Sequence, residues 1–174
     1  MTWIRMQRNR WVLDQLDLRP DQRVLLLGCG TGDDVAGCLA RGVLKVVGIE
    51  RCLFKLVLAC RFHRVPRLMG TLGLRWGDLQ TASDLGTPFD RVLVKAPPGS
   101  LAAELRHFSR NLRGKTRAGG AIAVVTECQS SWQDAFAVGE DIRLTLIGSG
   151  WVGTSVQQRR VRECWVMFIA ATAP

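Results

Sequence analysis

The chain has no tyrosine and only two histidines, His63 and His107, in 174 residues. Two imidazoles cannot assemble a zinc finger or a histidine-rich site of recognisable spacing, so no metal is expected. None of the six cysteines, Cys29, Cys38, Cys52, Cys60, Cys128 and Cys164, belongs to a C-x-x-C pair, and most lie inside apolar segments. They read as small buried hydrophobes in a reducing compartment rather than as disulfide staples. Long apolar runs are also missing. The longest, residues 164–174, falls far short of the ~20 residues that cross a bilayer, and the opening residues lack an apolar segment followed by a small-residue cleavage site. The expected location is cytoplasmic. Neither a repeat nor a Pro/Ser-rich linker breaks the chain, and no Ser/His/Asp set or carboxylate pair for acid/base work stands out.

What is present is an ordinary globular balance, 47% hydrophobic and 22% charged, too apolar for disorder. The length predicts one domain over residues 1–174. Lys and Arg exceed Asp and Glu by 24 to 15, a formal +9 that favours polyanions or an acidic partner. The excess of Arg over Lys, with no tyrosine, fits a coding bias equally well.

Apolar runs alternate with segments of helical period, the pattern of an α/β protein. Strands are expected at 24–27, 46–49 (ended by Glu50), 72–76, 91–94 and 121–126. Helices are expected at 33–40, 52–63, 101–112 and 132–147, and the crossover at 77–90 has room for one helical turn. In the third helix Leu101, Leu105, Phe108 and Leu112 share one face until Gly114 and Gly119-Gly120 stop the pattern. Strands at 154–158 and 164–171, joined by a charged turn over 158–163, imply one antiparallel strand on an otherwise parallel sheet.

The first strand runs into Gly28-Cys29-Gly30-Thr31-Gly32 and then a helix opening on Asp33-Asp34. Glycines there allow a sharp turn and close approach of the backbone to a ligand. Glu50 ends the next strand, where a carboxylate can accept from both hydroxyls of a ribose. A dinucleotide site puts a pyrophosphate at the helix N-terminus. Here Asp33 stands where the third glycine of that pattern belongs and Asp34 follows, so two carboxylates would repel a phosphate. No Gly-Lys-Ser/Thr occurs either. A nucleoside carrying a sulfonium and no phosphate, S-adenosylmethionine, fits this charge pattern best.

These segments, with Arg75-Trp-Gly-Asp-Leu79, Pro88-Phe-Asp-Arg-Val-Leu93 and Arg117-Ala-Gly-Gly-Ala-Ile-Ala-Val-Val125, resemble the ordered motifs of class I S-adenosylmethionine-dependent methyltransferases of small bacterial type. The resemblance runs from about Asn9 to Ala171. It implies a three-layer αβα sandwich around a mostly parallel seven-stranded sheet with a reversed strand in its C-terminal hairpin. It also implies that Gly28, Cys29, Gly30, Thr31 and Gly32 line the methionine and ribose of the cofactor. Glu50 would then hold the ribose, Arg51 flank the adenine and Asp78 accept from the adenine amino group, with Gly77 and Leu79 as backbone neighbours. Two positions depart from the family. Leu26 replaces a usual acid, and Lys95 a residue that is often uncharged. Both changes act against a sulfonium, since a unit charge ~6 Å away at an effective dielectric of about 20 is worth roughly 3 kcal/mol. Lys95 could instead pair with the cofactor's carboxylate.

The acceptor is less legible. Lys95-Ala-Pro-Pro-Gly99 occupies the segment where amino-directed nucleic-acid methyltransferases carry Asn/Asp-Pro-Pro-aromatic, but Ala96 lacks the carbonyl and Gly99 the stacking ring. Pro98 stands where a cytosine-5 enzyme would have its cysteine, and Pro97-Pro98 reads as a rigid loop. Arg106, Arg110 and Arg113 share one helical face and could follow phosphates, or make a solvated face. His63, beside Arg61, Arg64 and Arg67, reads as a solvated helix end, and His107 as a surface or packing residue. Trp3 and Trp11 could lid a pocket. The order of readings is a small-molecule methyltransferase acting on an N, O or S nucleophile, then an RNA- or DNA-directed one, then a non-catalytic subunit of an assembly.

Overall fold

The computed structural model describes residues 3–78, 85–86, 88–95, 98–129 and 131–174. In chain order the elements are α1 (Trp3–Gln15), β1 (Arg23–Leu27), α2 (Asp33–Leu39), β2 (Lys45–Glu50), α3 (Leu53–Phe62), α4 (Arg64–Leu68) and β3 (Leu72–Trp76). Then follow β4 (Phe89–Lys95), α5 (Pro98–Gly114), β5 (Thr116–Cys128), α6 (Trp132–Gly148), β6 (Val152–Val161) and β7 (Cys164–Thr172). The strands form one sheet in the order β3-β2-β1-β4-β5-β7-β6, with only β7 antiparallel to its neighbours. The expected α/β sandwich with a reversed strand in its C-terminal hairpin is the architecture observed.

Alternation along the strands divides the core in two. Leu25, Leu27, Val92, Val94, Ile122 and Val124 face α5 and α6, where Leu105, Leu112, Ile142 and Leu146 close over them. Val24, Leu26, Leu93, Ala123 and Val125 face α1 and α2, covered by Val12, Leu13, Leu16, Val35 and Cys38. The strands are apolar on both faces because helices lie on both, as parallel sheets require.

Four local expectations change. α1 was not foreseen as a helix: arginines at 5, 8 and 10 interrupt its apolar positions, and its order comes from docking Val12, Leu13 and Leu16 on the sheet. Pro98 is not part of a loop but the first residue of α5, where its missing N–H costs nothing; Ala96 and Pro97 lie outside the described residues. β5 begins at Thr116, because Thr116 pairs with Phe89 before a bulge resets the register at Arg91 and Ala121. The six-residue hairpin turn contracts to Arg162-Glu163, with Arg162 at φ 56. Three of the six cysteines, Cys29, Cys38 and Cys128, are buried, while Cys52, Cys60 and Cys164 are half-buried. Among the described residues no helix is long and apolar enough to cross a membrane.

Candidate functional site

The chain leaves β1 toward β2 on one side, and β4 lies on β1's other side. This reversal of strand order opens a crevice at the carboxyl ends of the strands, where α/β proteins bind ligands. A cavity of about 480 Å³ occupies it. The glycine loop forms its floor. Gly28, Gly30 and Gly32 all take left-handed φ, 78, 59 and 95°, a conformation that costs a side chain but not glycine. A Cβ on Gly28 would overlap the Lys95 carbonyl oxygen, and one on Gly32 would meet His63 Nε2 at 2.6 Å, whereas one on Gly30 would meet nothing within 4 Å. Gly28 and Gly32 are therefore fixed by neighbouring backbone and side chain, and Gly30 by its left-handed φ alone, facing the open cavity. Gly28 N and Cys29 N both donate to the Ile49 carbonyl, which locks the loop to β2.

Glu50 ends β2 beneath this loop, only 6% exposed. One carboxylate oxygen accepts from Gly30 N at 2.7 Å and the other from Cys52 N at 2.9 Å. Two main-chain donors satisfy a buried anion that would otherwise be costly. Each oxygen still has a lone pair for a ligand hydroxyl.

The opposite wall is built from side chains. Lys95, at the end of β4, donates from Nζ to Asp34 at 2.7 Å and to Asn9 Oδ1 at 3.2 Å. Asp34 is 5% exposed and sits in the first turn of α2, where the helix dipole favours an anion. Lys95 is thus not the lone cation that the sequence suggested. Leu26 is corrected too: it is 1% exposed in the layer under α1 and α2 and does not line the cavity. By register it opposes Leu93 on the face that carries Lys95 two residues later. The two departures therefore do not add, since the lysine charge is neutralised within the protein.

Cys29 and Thr31 line the cavity with Gly28 and Gly30, whereas Gly32, expected beside them, does not. The Cys29 thiol turns down toward Gly48, and burial, reinforced by Glu50 and Asp34, pushes its pKa up to about 12. It stays a thiol and packs. Arg51, Gly77 and Asp78 also line the cavity; Gly77 N donates to the Glu50 carbonyl at 3.2 Å, and Arg51 lies 3.9 Å from Glu104 of α5. Leu79 lies outside the described residues. His63 is no solvated helix end: its Nε2 hydrogen-bonds the Gly32 carbonyl at 3.0 Å and so braces the loop. His107 is exposed, edge-on to Phe108.

Several lining residues escaped the sequence reading: Arg8, Asn9, Lys55, Glu104, Thr126 and Glu127. Thr126 and Glu127 were within reach, because the strand expected at 121–126 must end on the same rim. Asn9 had no signal without α1. Arg8 pairs with Glu127, while the Thr126 hydroxyl is buried with no hydrogen-bond partner among the described residues. Trp11 is no lid; it packs edge-on against Phe168 at 6.0 Å, and the Trp3 side chain lies outside the described residues. Of the arginines proposed to follow phosphates, Arg106 pairs with Asp141 at 3.3 Å and Arg113 reaches the Gly150 carbonyl at 3.5 Å.

No protein-family model and no curated protein matches the chain. Solved structures do. The [4+2]-cyclase SpnF superposes with a TM-score of 0.76 at 14% identity, over 97% of this chain and 81% of that one. A methyltransferase from Pyrococcus furiosus gives 0.73 at 16%, over 95% and 82%. The geranyl diphosphate C-methyltransferase of Streptomyces coelicolor A3(2), solved with S-adenosyl-L-homocysteine, gives 0.73 at 14%, over 98% and 79%. A cyclase among these neighbours means that the shared fold does not by itself fix the reaction.

Proposed function

Since the chain has the class I S-adenosylmethionine-dependent methyltransferase fold, we propose that residues 1–174 act as one unit that binds S-adenosylmethionine in this cavity and methylates a small-molecule N, O or S nucleophile. The observation that carries the reading is Glu50, a buried carboxylate anchored by two main-chain N–H groups under an open glycine cradle. In this reading Glu50 accepts from the ribose hydroxyls, and Gly28 to Thr31 run along the ribose and methionine. Arg51, Gly77 and Asp78 surround the adenine, and Lys95 stands at the methionine end with its charge held by Asp34. The cofactor supplies a methyl group on a sulfonium, already activated for transfer. The protein's part is to align the acceptor and exclude water, which needs no acid/base pair. The rim at Glu104 and Thr126 is left for the acceptor. A nucleic-acid acceptor is the second reading, since of the three arginines Arg106 pairs with Asp141 and Arg113 reaches the Gly150 carbonyl, while Arg110 is exposed.

Calorimetric titration with S-adenosylmethionine and S-adenosylhomocysteine tests the assignment. Glu50→Ala, confirmed folded by its thermal melt, should lose ~10- to 100-fold in affinity for both. Equal affinities for variant and wild type would remove Glu50 from the site.

A further inference from the structure

α3 is apolar at eight of its ten positions, including both of its ends. A helix apolar all round is ordinarily buried, yet here only Leu56 and Ala59 are. Its outer side, continued by α4 past His63, carries Phe54, Val57, Phe62, Val65, Leu68 and Met69, each between 61% and 77% exposed. Trp76, at the end of the edge strand β3, adds an exposed ring whose Nε1 donates to the Arg51 carbonyl at 3.0 Å, which ties it to the start of this segment. So many large exposed apolar side chains on one short stretch mark a docking surface.

The charge on the same stretch says what docks. Residues 51–77 contain Arg51, Lys55, Arg61, Arg64, Arg67 and Arg75 and not one Asp or Glu, so this segment supplies six of the chain's nine net positive charges. A second copy of the face would set cation against cation. RNA would satisfy the arginines and stack on Phe54, Phe62 and Trp76, but would leave the aliphatic Val57, Val65, Leu68 and Met69 without an apolar partner. An anionic bilayer satisfies both sets, phosphates meeting the arginines and the acyl boundary taking the aliphatic and aromatic side chains.

We propose that the α3–α4 face, with Trp76, docks the protein peripherally on anionic membrane surfaces. The cavity mouth, which Arg51 and Lys55 also line, then opens beside the lipid.

Co-sedimentation with vesicles of phosphatidylcholine alone, and of phosphatidylcholine mixed with phosphatidylglycerol, tests this. Wild type should bind the mixed vesicles and scarcely the neutral ones, and the binding should weaken as salt rises from ~0.1 to ~1 M. Arg61→Gln/Arg64→Gln/Arg67→Gln should lose about fivefold per charge, ~100-fold together. Phe54→Ser/Phe62→Ser/Leu68→Ser keeps every charge and should lose at least ~10-fold. All these side chains are exposed, and unchanged thermal melts would show both variants folded. No binding to mixed vesicles, equal binding to both vesicle types, or indifference to the apolar variant would overturn the proposal. A dimer in sedimentation equilibrium that the apolar variant dissociates would assign the face to a second copy, and RNA binding lost in the same variant would assign it to nucleic acid.

Discussion

The two walls of the cavity hold an acid each by different means. Glu50 is held by main-chain N–H groups of Gly30 and Cys52, so its position follows from the path of the glycine loop and the start of α3. Asp34 is held by Lys95, which Asn9 also contacts, three side chains from α2, β4 and α1. The first arrangement is nearly immune to substitutions elsewhere. The second exists only while three separate elements stay docked. A ligand carboxylate or ammonium that meets the second wall meets a neutral pair, which is why a lysine at this rim is compatible with a cationic cofactor.

The comparison is sharpest where one partner of the second wall is removed. Asp34→Ala leaves Lys95 poorly solvated and unpaired and should cost ~3 kcal/mol of unfolding free energy, the lower end of the range for broken buried pairs because Lys95 keeps some exposure. Asp34→Ala combined with Lys95→Met should cost less than Asp34→Ala alone. Urea denaturation of singles and double gives the cycle, and a single-variant cost under ~1 kcal/mol would class the pair with surface salt bridges. On the first wall, Gly28→Ala should cost ~2–3 kcal/mol from left-handed strain and overlap with the Lys95 carbonyl. Wild-type stability in that variant would mean the loop is not pinned between β1 and β4.

A smaller effect lies beneath both walls. Burial raises the Cys29 and Cys38 thiols from 9.0 to about 12. The unfolded chain therefore releases these protons first, and their contribution to stability is intact below pH 9 and falls as pH rises toward 12. At pH 9.5 the loss is about 0.8 kcal/mol per thiol. Urea midpoints at pH 7.5 and 9.5 should separate more for wild type than for Cys29→Ala/Cys38→Ala. Equal separations would mean that the thiols ionise as freely folded as unfolded.

The same division decides what the sequence made legible. The glycine loop, Glu50 and the strand positions are readable because each is set by residues close in the chain: φ demands at Gly28, Gly30 and Gly32, apolar runs, and an acid at a strand end. The Asp34–Lys95 contact joins residues 61 apart, and nothing in either local pattern announces it. Taken locally, Lys95 is a bare charge or a partner for a ligand carboxylate, and Leu26 a lost acid at the rim. α1 was missed because its arginines hide the apolar side that docks, and Asn9 with it. Two adjacent prolines suggest a loop at Pro97-Pro98, although a helix accepts proline in its first turn, as α5 does at Pro98.

If Glu50 takes a ribose, as proposed, the cavity selects a nucleoside without phosphates, because Asp33, in the first turn of α2, stands where a pyrophosphate would sit while Asp34 is paired with Lys95. Side-by-side calorimetric titration of the wild-type protein with S-adenosylhomocysteine and with NAD measures that selection. S-adenosylhomocysteine should bind at least ~100-fold tighter than NAD, a difference of about 2.7 kcal/mol. NAD bound as tightly as S-adenosylhomocysteine, or no binding of either, would contradict it.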